Sequence, residues 1–345
     1  MSLLPYLEHV AEREDLTSAD AHSAMLTILH GQATHPQIAA FLMALRMKGE
    51  TVEELVGFAR AMREMATPVD CGLAGEPLLD TCGTGGGGPP TFNISTIVAF
   101  VAAGAGVRVA KHGNRSNSTP CGSADLLELM GIDVSFSPEK AARAIREIGI
   151  GFLFAPAAHT AMKHAQPVRR DLKMRTVFNL LGPLTNPAGV TAQLVGAPSP
   201  KAAELMAGAL ASLGLRHGFV VHGSDGLDEI TTTGPTLVFE VRKGKVARRE
   251  LEPADFGVHT SNTGDLAGGS QSRNLEIANA ILAGERGPGR DIVLVNAAAA
   301  LVAAGTVDTF LEGVAVAVVS VDSGAARAKV EALARFTQEC RAPHP

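Results

Sequence analysis

Through the first ~68 residues, apolar positions recur on the 3.6-residue period and are punctuated by turn and cap residues, which predicts a run of helices. Thr34 to Gln37 and Thr51 to Glu54 each fit the S/T-x-x-E/Q capping box ahead of an apolar run. "IAAFLMALRMKG" closes on Gly49, a residue suited to a helix C-terminus. A small helical layer of this kind keeps apolar faces to bury, which suits packing against a partner subunit.

From Leu78 the period shortens. "PLLD", "GVRVAK", "IDVSF", "IGFLFAP" and "HGFVVHG" read as strands, separated by helices that open at Ser137-Pro138 and Ser199-Pro200. Strands and helices in alternation argue for a mixed or parallel sheet covered by helices. "TLVFEVRKGKVARREL" reads as a β-hairpin turning at Lys243-Gly244, and the C-terminal third returns to Ala-rich helices. The expected class is α/β: a large domain with a mixed, mostly parallel sheet, plus a smaller all-helical domain.

Composition narrows the function. The chain has 345 residues, 46% hydrophobic and 19% charged, as a folded globular protein does. A net charge of -5 offers no broad basic field for nucleic acid or an anionic membrane, so a bound anion must be held locally. Cys71, Cys82, Cys121 and Cys340 form no CxxC pair or zinc spacing, which suits free thiols in a reducing cytosol. The N-terminus lacks a signal-peptide pattern and no apolar run reaches spanning length, so a cytoplasmic location is expected.

In such sheets the loops after the strand C-termini carry ligands. Three of them hold the unusual chemistry. The first, "LLDTCGTGGGGPPTFNIST", contains a GxGxxG match at Gly83, Gly85 and Gly88. Pro89 and Pro90 stand where a dinucleotide-binding helix would already run, and the next strand ends in Lys111-His112 rather than an acid. What remains is a glycine turn feeding "NIST" at a helix start, a place that favours an anion; a surface loop is the plainer reading. The second, "KHGNRSNSTPCGSAD", crowds Lys111, His112, Asn114, Arg115, Ser116, Asn117, Ser118 and Thr119 together, a donor density that suits phosphate. Its plainer reading is a solvated turn capped by Ser123. The third, "HGSDGLDEITTT", places Asp228 beside Glu229, a pair able to share Mg²⁺ or simply to face solvent.

Together with "FLFAP", "AMKHAQPVRR", "RTVFNLLGPLTNP", the "GG...N...NA" pattern over 268–280 and "VNAAAAL", these segments resemble, in order and spacing, the anthranilate phosphoribosyltransferases of tryptophan biosynthesis. The resemblance implies Mg²⁺-dependent transfer of phosphoribose from phosphoribosyl pyrophosphate to the amine of anthranilate. It also implies a nucleoside phosphorylase/phosphoribosyltransferase-like fold and a homodimer formed through the helical domain. The helical domain would take residues 1–70 and a returning segment near 162–190; the α/β domain would take 75–161 and 191–345.

By the same resemblance Gly83, Gly86, Gly87, Thr91, Asn93, Ile94, Ser95 and Thr96 would hold phosphoribosyl pyrophosphate, with Ser95, Asp228 and Glu229 on the metal. Lys111, His112, Gly113, Asn114, Arg115, Ser116, Asn117, Ser118, Thr119 and Ser123 would hold its phosphates. Asn114, Arg169, Gly182 and Pro183 would meet anthranilate. Lys111 would stabilise the leaving pyrophosphate, Arg169 would grip the substrate carboxylate, and His112 could receive the amine proton. The chain departs from the family at Gly87, where GTGGD is usual, and at His159 to Lys163, "HTAMK" for HPAMK. The rival readings are a same-fold transferase or phosphorylase with another acceptor, and a non-enzymatic relative that binds nucleic acid.

Overall fold

The computed structural model describes residues 2–73, 75–85, 88–116 and 120–340. It begins with α1 (Leu4–Ala11), α2 (Ser18–Leu29), α3 (His35–Lys48) and α4 (Val52–Glu64). Both expected capping boxes close: Thr34 and Thr51 accept the N3 N–H, and the Gln37 and Glu54 side chains reach back. Gly49 ends α3 at φ 89°. Glu54 is wholly buried; it also accepts Leu16 N–H at 3.0 Å and meets Lys48 Nζ at 3.0 Å, so one carboxylate ties three helices' ends together.

Seven strands form one sheet: β1 (Leu78–Gly83), β2 (Arg108–Gly113), β3 (Ile150–Phe154), β4 (Ala192–Gly196), β5 (His217–Gly223), β6 (Thr236–Arg242) and β7 (Lys245–Leu251), in the order β3-β2-β1-β4-β5-β6-β7. The first five are parallel; β6 and β7 form the expected antiparallel hairpin, with Lys243 at φ 50° and Gly244 at φ 76° in its turn.

Two expectations are corrected. β4 is absent from the strands that the sequence predicts, because Gln193 interrupts its five buried residues; the Gln193 amide is accommodated by donating to Pro183 O at 2.8 Å. Residues 132–136, "IDVSF", form no strand. Ile132, Val134 and Phe136 are buried alternately, but Asp133 N–H goes to Thr337 Oγ1 and Ser135 N–H to the Asp133 carboxylate, so side chains satisfy the backbone that a neighbouring strand would pair.

Helices α5 (Ile94–Gly104), α6 (Ser123–Leu129), α7 (Pro138–Ile148) and α8 (Ala155–Ala158) follow the early strands. Next come α9 (Gln166–Leu172) and α10 (Val177–Leu181), then α11 (Pro200–Ser212), α12 (Gln271–Leu282), α13 (Pro288–Ala304), α14 (Phe310–Asp322) and α15 (Ala325–Glu339). Strand alternation divides the core. Leu194, Phe219 and Val221 join α5, α13 and their neighbours on one face. Val195, Val220 and Phe239 join α11 and α1–α4 on the other, along with Ala165, Val168, Val177 and Phe178 of the returning segment. No helix among the described residues is long and apolar enough to cross a membrane.

Candidate active site

The connection from β1 turns one way to β2 and β3, whereas β4 and β5 lie on its other side, so β1 and β4 flank the point where strand order reverses. A crevice opens there beyond the strand C-termini. Gly83 and Gly196 end these two strands and stand opposite each other in register. A Cβ on Gly83 would stand 2.6 Å from Asp228 Oδ2, and one on Gly196 only 1.7 Å from Asp228 O. The paired glycines are therefore the seat on which the Asp228-Glu229 loop rests. Gly196 escaped the sequence reading because its strand did. Replacing Gly196 with Ala is expected to cost roughly 1–3 kcal/mol of stability and to raise the Mg²⁺ concentration needed for activity. Wild-type melting and Mg²⁺ curves would refute this seating role.

The carboxylate loop is held from several sides. Asn296 of α13 accepts Ile230 N–H at 2.9 Å and donates to Ile230 O at 2.8 Å, gripping the residue next to Glu229. Asp225 accepts from Thr231 and Thr233 hydroxyls, each at 2.6 Å. Asp228 Oδ2 accepts Gly85 N–H at 3.1 Å, so the first and third loops meet directly. Asp228 and Glu229 keep partial solvent access but lie deep in the crevice, and burial raises both pKa values. Burial, then the neighbouring Asp228, pushes Glu229 up to about 8. Glu229 also receives a backbone hydrogen bond from Ser95, so the three expected metal residues are brought together.

A partly buried acidic pair held above its usual range is a site that a divalent cation relieves. Among the described residues no set of three or more His, Cys, Asp and Glu could hold a metal, so water and phosphate oxygens would complete a shell around Mg²⁺.

In the first loop, Asn93 stands at the N-cap position of α5 and its Nδ2 donates to Cys121 O at 3.0 Å, while buried Asn93 Oδ1 and Thr96 Oγ1 have no partner among the described residues. Thr91 bridges to Ala267, and Gly268 lets that segment approach, since a Cβ there would stand 2.5 Å from Thr91 O. Ile94 turns its side chain into the core, and its N–H donates to Phe92 O. Gly86, Gly87, Asn117, Ser118 and Thr119 lie outside the described residues.

Lys111 lies in β2, under the loop. It is 3% exposed, and Nζ donates to Thr81 O at 2.6 Å and Ser95 Oγ at 3.4 Å. It sits beneath the loop as a strut for Ser95, and burial lowers its pKa against the opposing pull of Asp80, Cys82 and Glu229. Buried Asp80, unremarked in the sequence, accepts His112 N–H and the Asn186 amide, locking β2 to the "LTNP" turn. Arg115 does not face the crevice freely: Glu128 and Asp125 hold it at 2.6 and 3.0 Å. Ser123 is the first residue of α6 rather than its cap; its hydroxyl donates to exposed Asn114's carbonyl, and a Cβ on Gly113 would crowd it. Asp125 accepts Gly122 N–H and Ser116 N–H.

On the acceptor side, His112 Nδ1 meets Gly182 O at 3.3 Å and Pro183 is buried beside it. His159, which opens the "HTAMK" segment, places its ring 5.2 Å from His112. Burial pushes His112 down to about 3 and His159 to about 4, so both are neutral at pH 7. Neutral His112 is poorly disposed to hold a proton, and its Nε2, without a partner among the described residues, is suited to accept a hydrogen bond. Arg169 lies over the Phe178 ring at 5.2 Å, half-buried, and burial lowers its pKa.

The chain is similar to known proteins over nearly its whole length. The family model "Glycosyl transferase family, a/b domain" matches residues 75–327 and "Glycosyl transferase family, helical bundle domain" matches 4–66. An anthranilate phosphoribosyltransferase of Solibacter usitatus (strain Ellin6076) is 72% identical over 336 residues, 97% of this chain and 99% of the relative. The crystal structure of anthranilate phosphoribosyltransferase from Thermus thermophilus superposes with a TM-score of 0.91 at 43% identity, covering 96% of this chain and 99% of that one. That of the Saccharomyces cerevisiae enzyme in complex with PRPP and Mg gives 0.88 at 30% identity, covering 98% of each chain.

Proposed function

Because this chain belongs to the anthranilate phosphoribosyltransferase family, we infer from its own residues how it carries out that reaction. The protein transfers phosphoribose from phosphoribosyl pyrophosphate to the amine of anthranilate, a step of tryptophan biosynthesis. The observation that carries the site reading is the Asp228 loop resting on Gly83 and Gly196, beside Ser95 at the start of α5.

Breaking the C1–O bond of the donor leaves positive charge on the ribose and sends negative charge onto pyrophosphate. Asp228, Glu229 and Ser95 would hold Mg²⁺, which supplies Lewis-acid stabilisation of that leaving charge. The start of α5 adds the positive end of its dipole, and Lys111 keeps Ser95 in place from below. Asn93 Oδ1 and Thr96 Oγ1 are suited to receive donor hydroxyl groups. Anthranilate's amine is already neutral at pH 7, so orientation does more than proton abstraction. Arg169 would take its carboxylate, while Gly182, Pro183 and Asn114 line its approach and His112 Nε2 accepts an N–H. Closing the helical layer over the crevice would exclude water from the ribose cation.

The division of the chain into 1–70 with 162–190, and 75–161 with 191–345, belongs to this proposal. So do a cytoplasmic location and a homodimer through the helical layer. Exposed Leu4 and Met47, on the packed helices α1 and α3, support the dimer.

Loss of anthranilate fluorescence in the presence of phosphoribosyl pyrophosphate and Mg²⁺ tests the reaction directly. Pyrophosphate release with a different acceptor instead would favour a same-fold transferase, and a salt-dependent shift with DNA would favour the nucleic-acid reading. Gly87 supplies its own prediction: with Asp228 and Glu229 present, wild type is active, and Gly87→Asp shifts its Mg²⁺ dependence. Superimposable Mg²⁺ curves would dismiss that effect.

A further inference from the structure

Arg175 stands in the short link between α9 and α10, next to Met174 and the left-handed Lys173 (φ 48°). Arg46 of α3 donates to its carbonyl, which fixes its backbone to the helical layer. Its side chain leaves that layer: Nη2 donates to Thr84 Oγ1 at 3.2 Å, in the loop after β1. The guanidinium is half-buried; burial lowers its pKa, and the charge of nearby Asp228 opposes that shift while Arg46 adds to it. Asp228 in turn accepts from Gly85, the residue after Thr84. Two consecutive loop residues thus join an arginine of the helical layer to a metal-site carboxylate of the sheet.

We propose that Arg175 is a further donor-binding residue, carried by the helical layer to the pyrophosphate end of the substrate, where it recognises magnesium pyrophosphate. This rests on the assignment of Asp228 and Glu229 given above. A lone cation on Asp228 would repel the guanidinium near it. Magnesium pyrophosphate remains a net anion, so it restores the attraction, and a planar fork can meet two phosphate oxygens where an ammonium meets them as a point. Because Arg46 holds the Arg175 backbone, donor binding and the position of the helical layer are linked through one side chain.

The test titrates inorganic pyrophosphate, with and without Mg²⁺, into wild type, Arg175→Met and Arg175→Lys by calorimetry, alongside melting curves and the steady-state KM for anthranilate. In Mg²⁺, Arg175→Met is expected to bind pyrophosphate at least tenfold more weakly, Arg175→Lys about threefold, with the KM for anthranilate moving less than twofold. Thr84→Val removes only the hydroxyl anchor and is expected to weaken pyrophosphate in the same direction. Should Arg175→Met fail to fold, the lysine and valine variants decide. Wild-type pyrophosphate affinity in the variants overturns the proposal, as does equal weakening toward both ligands, which marks a strut between layers. No pyrophosphate binding by wild type would remove the site assignment itself, and this inference with it.

Discussion

Glu229→Gln is expected to lower kcat/KM for phosphoribosyl pyrophosphate by about 10²–10³, roughly 3–4 kcal/mol of transition-state stabilisation, the size typical of losing one preorganised electrostatic group. The substitution keeps shape and the hydrogen bond from Ser95 but removes the charge that a cation requires. The same residue sets an opposite trend in stability. In the unfolded chain a glutamate titrates near 4.3, whereas burial and Asp228 hold Glu229 at about 8 in the fold. Between those values the folded state binds more protons, so without Mg²⁺ this residue's contribution is fully present below the lower pKa and is lost as pH rises through the higher one. Glu229→Gln should therefore melt higher than wild type at pH 9 without Mg²⁺ and similarly at pH 4, while Mg²⁺ stabilises wild type more than the variant. A variant that melts lower at pH 9, or that retains wild-type turnover, would show that Glu229 is a structural acid.

The second large effect falls on the acceptor. Arg169→Leu is expected to raise the KM for anthranilate roughly 30- to 150-fold, as loss of a charge-assisted pair of about 2–3 kcal/mol requires, with the KM for phosphoribosyl pyrophosphate nearly unchanged. Leucine keeps an apolar contact with Phe178, which isolates the guanidinium's role. Arg169→Lys should recover little, because the flat group over the ring is what aims the fork. Equal changes in both KM values would mean that Arg169 supports the helical segment instead of meeting a carboxylate.

The helical layer was legible because its caps are local: Thr34, Thr51 and Gly49 act on residues three or four positions away. The three ligand loops were legible through the density of glycines, donors and acids along short stretches. What escaped depends on distant packing. β4 hides a buried glutamine that Pro183 makes acceptable, and residues 132–136 show a strand period whose backbone bonds were taken by Thr337, far along the chain. Lys111 looked like a free cation because nothing in "KHGNR" reveals that Thr81 and Ser95 lie above and beside its ammonium. Arg115 looked equally available, although Glu128, on the next helix, claims it. The family resemblance supplied roles for Asp228 and Glu229; the fold supplied the seat that makes those roles possible.

The β6–β7 hairpin offers a practical handle. Arg242 pairs opposite His217, the first residue of β5, so the Lys243-Gly244 turn projects from the rim of the sheet away from the carboxylates that follow β5. Six of the seven β7 residues are exposed, and its arginines and lysine discourage another chain from adding to this edge. A dye or surface tether placed at that turn would report on or immobilise the protein while leaving the crevice open to solution.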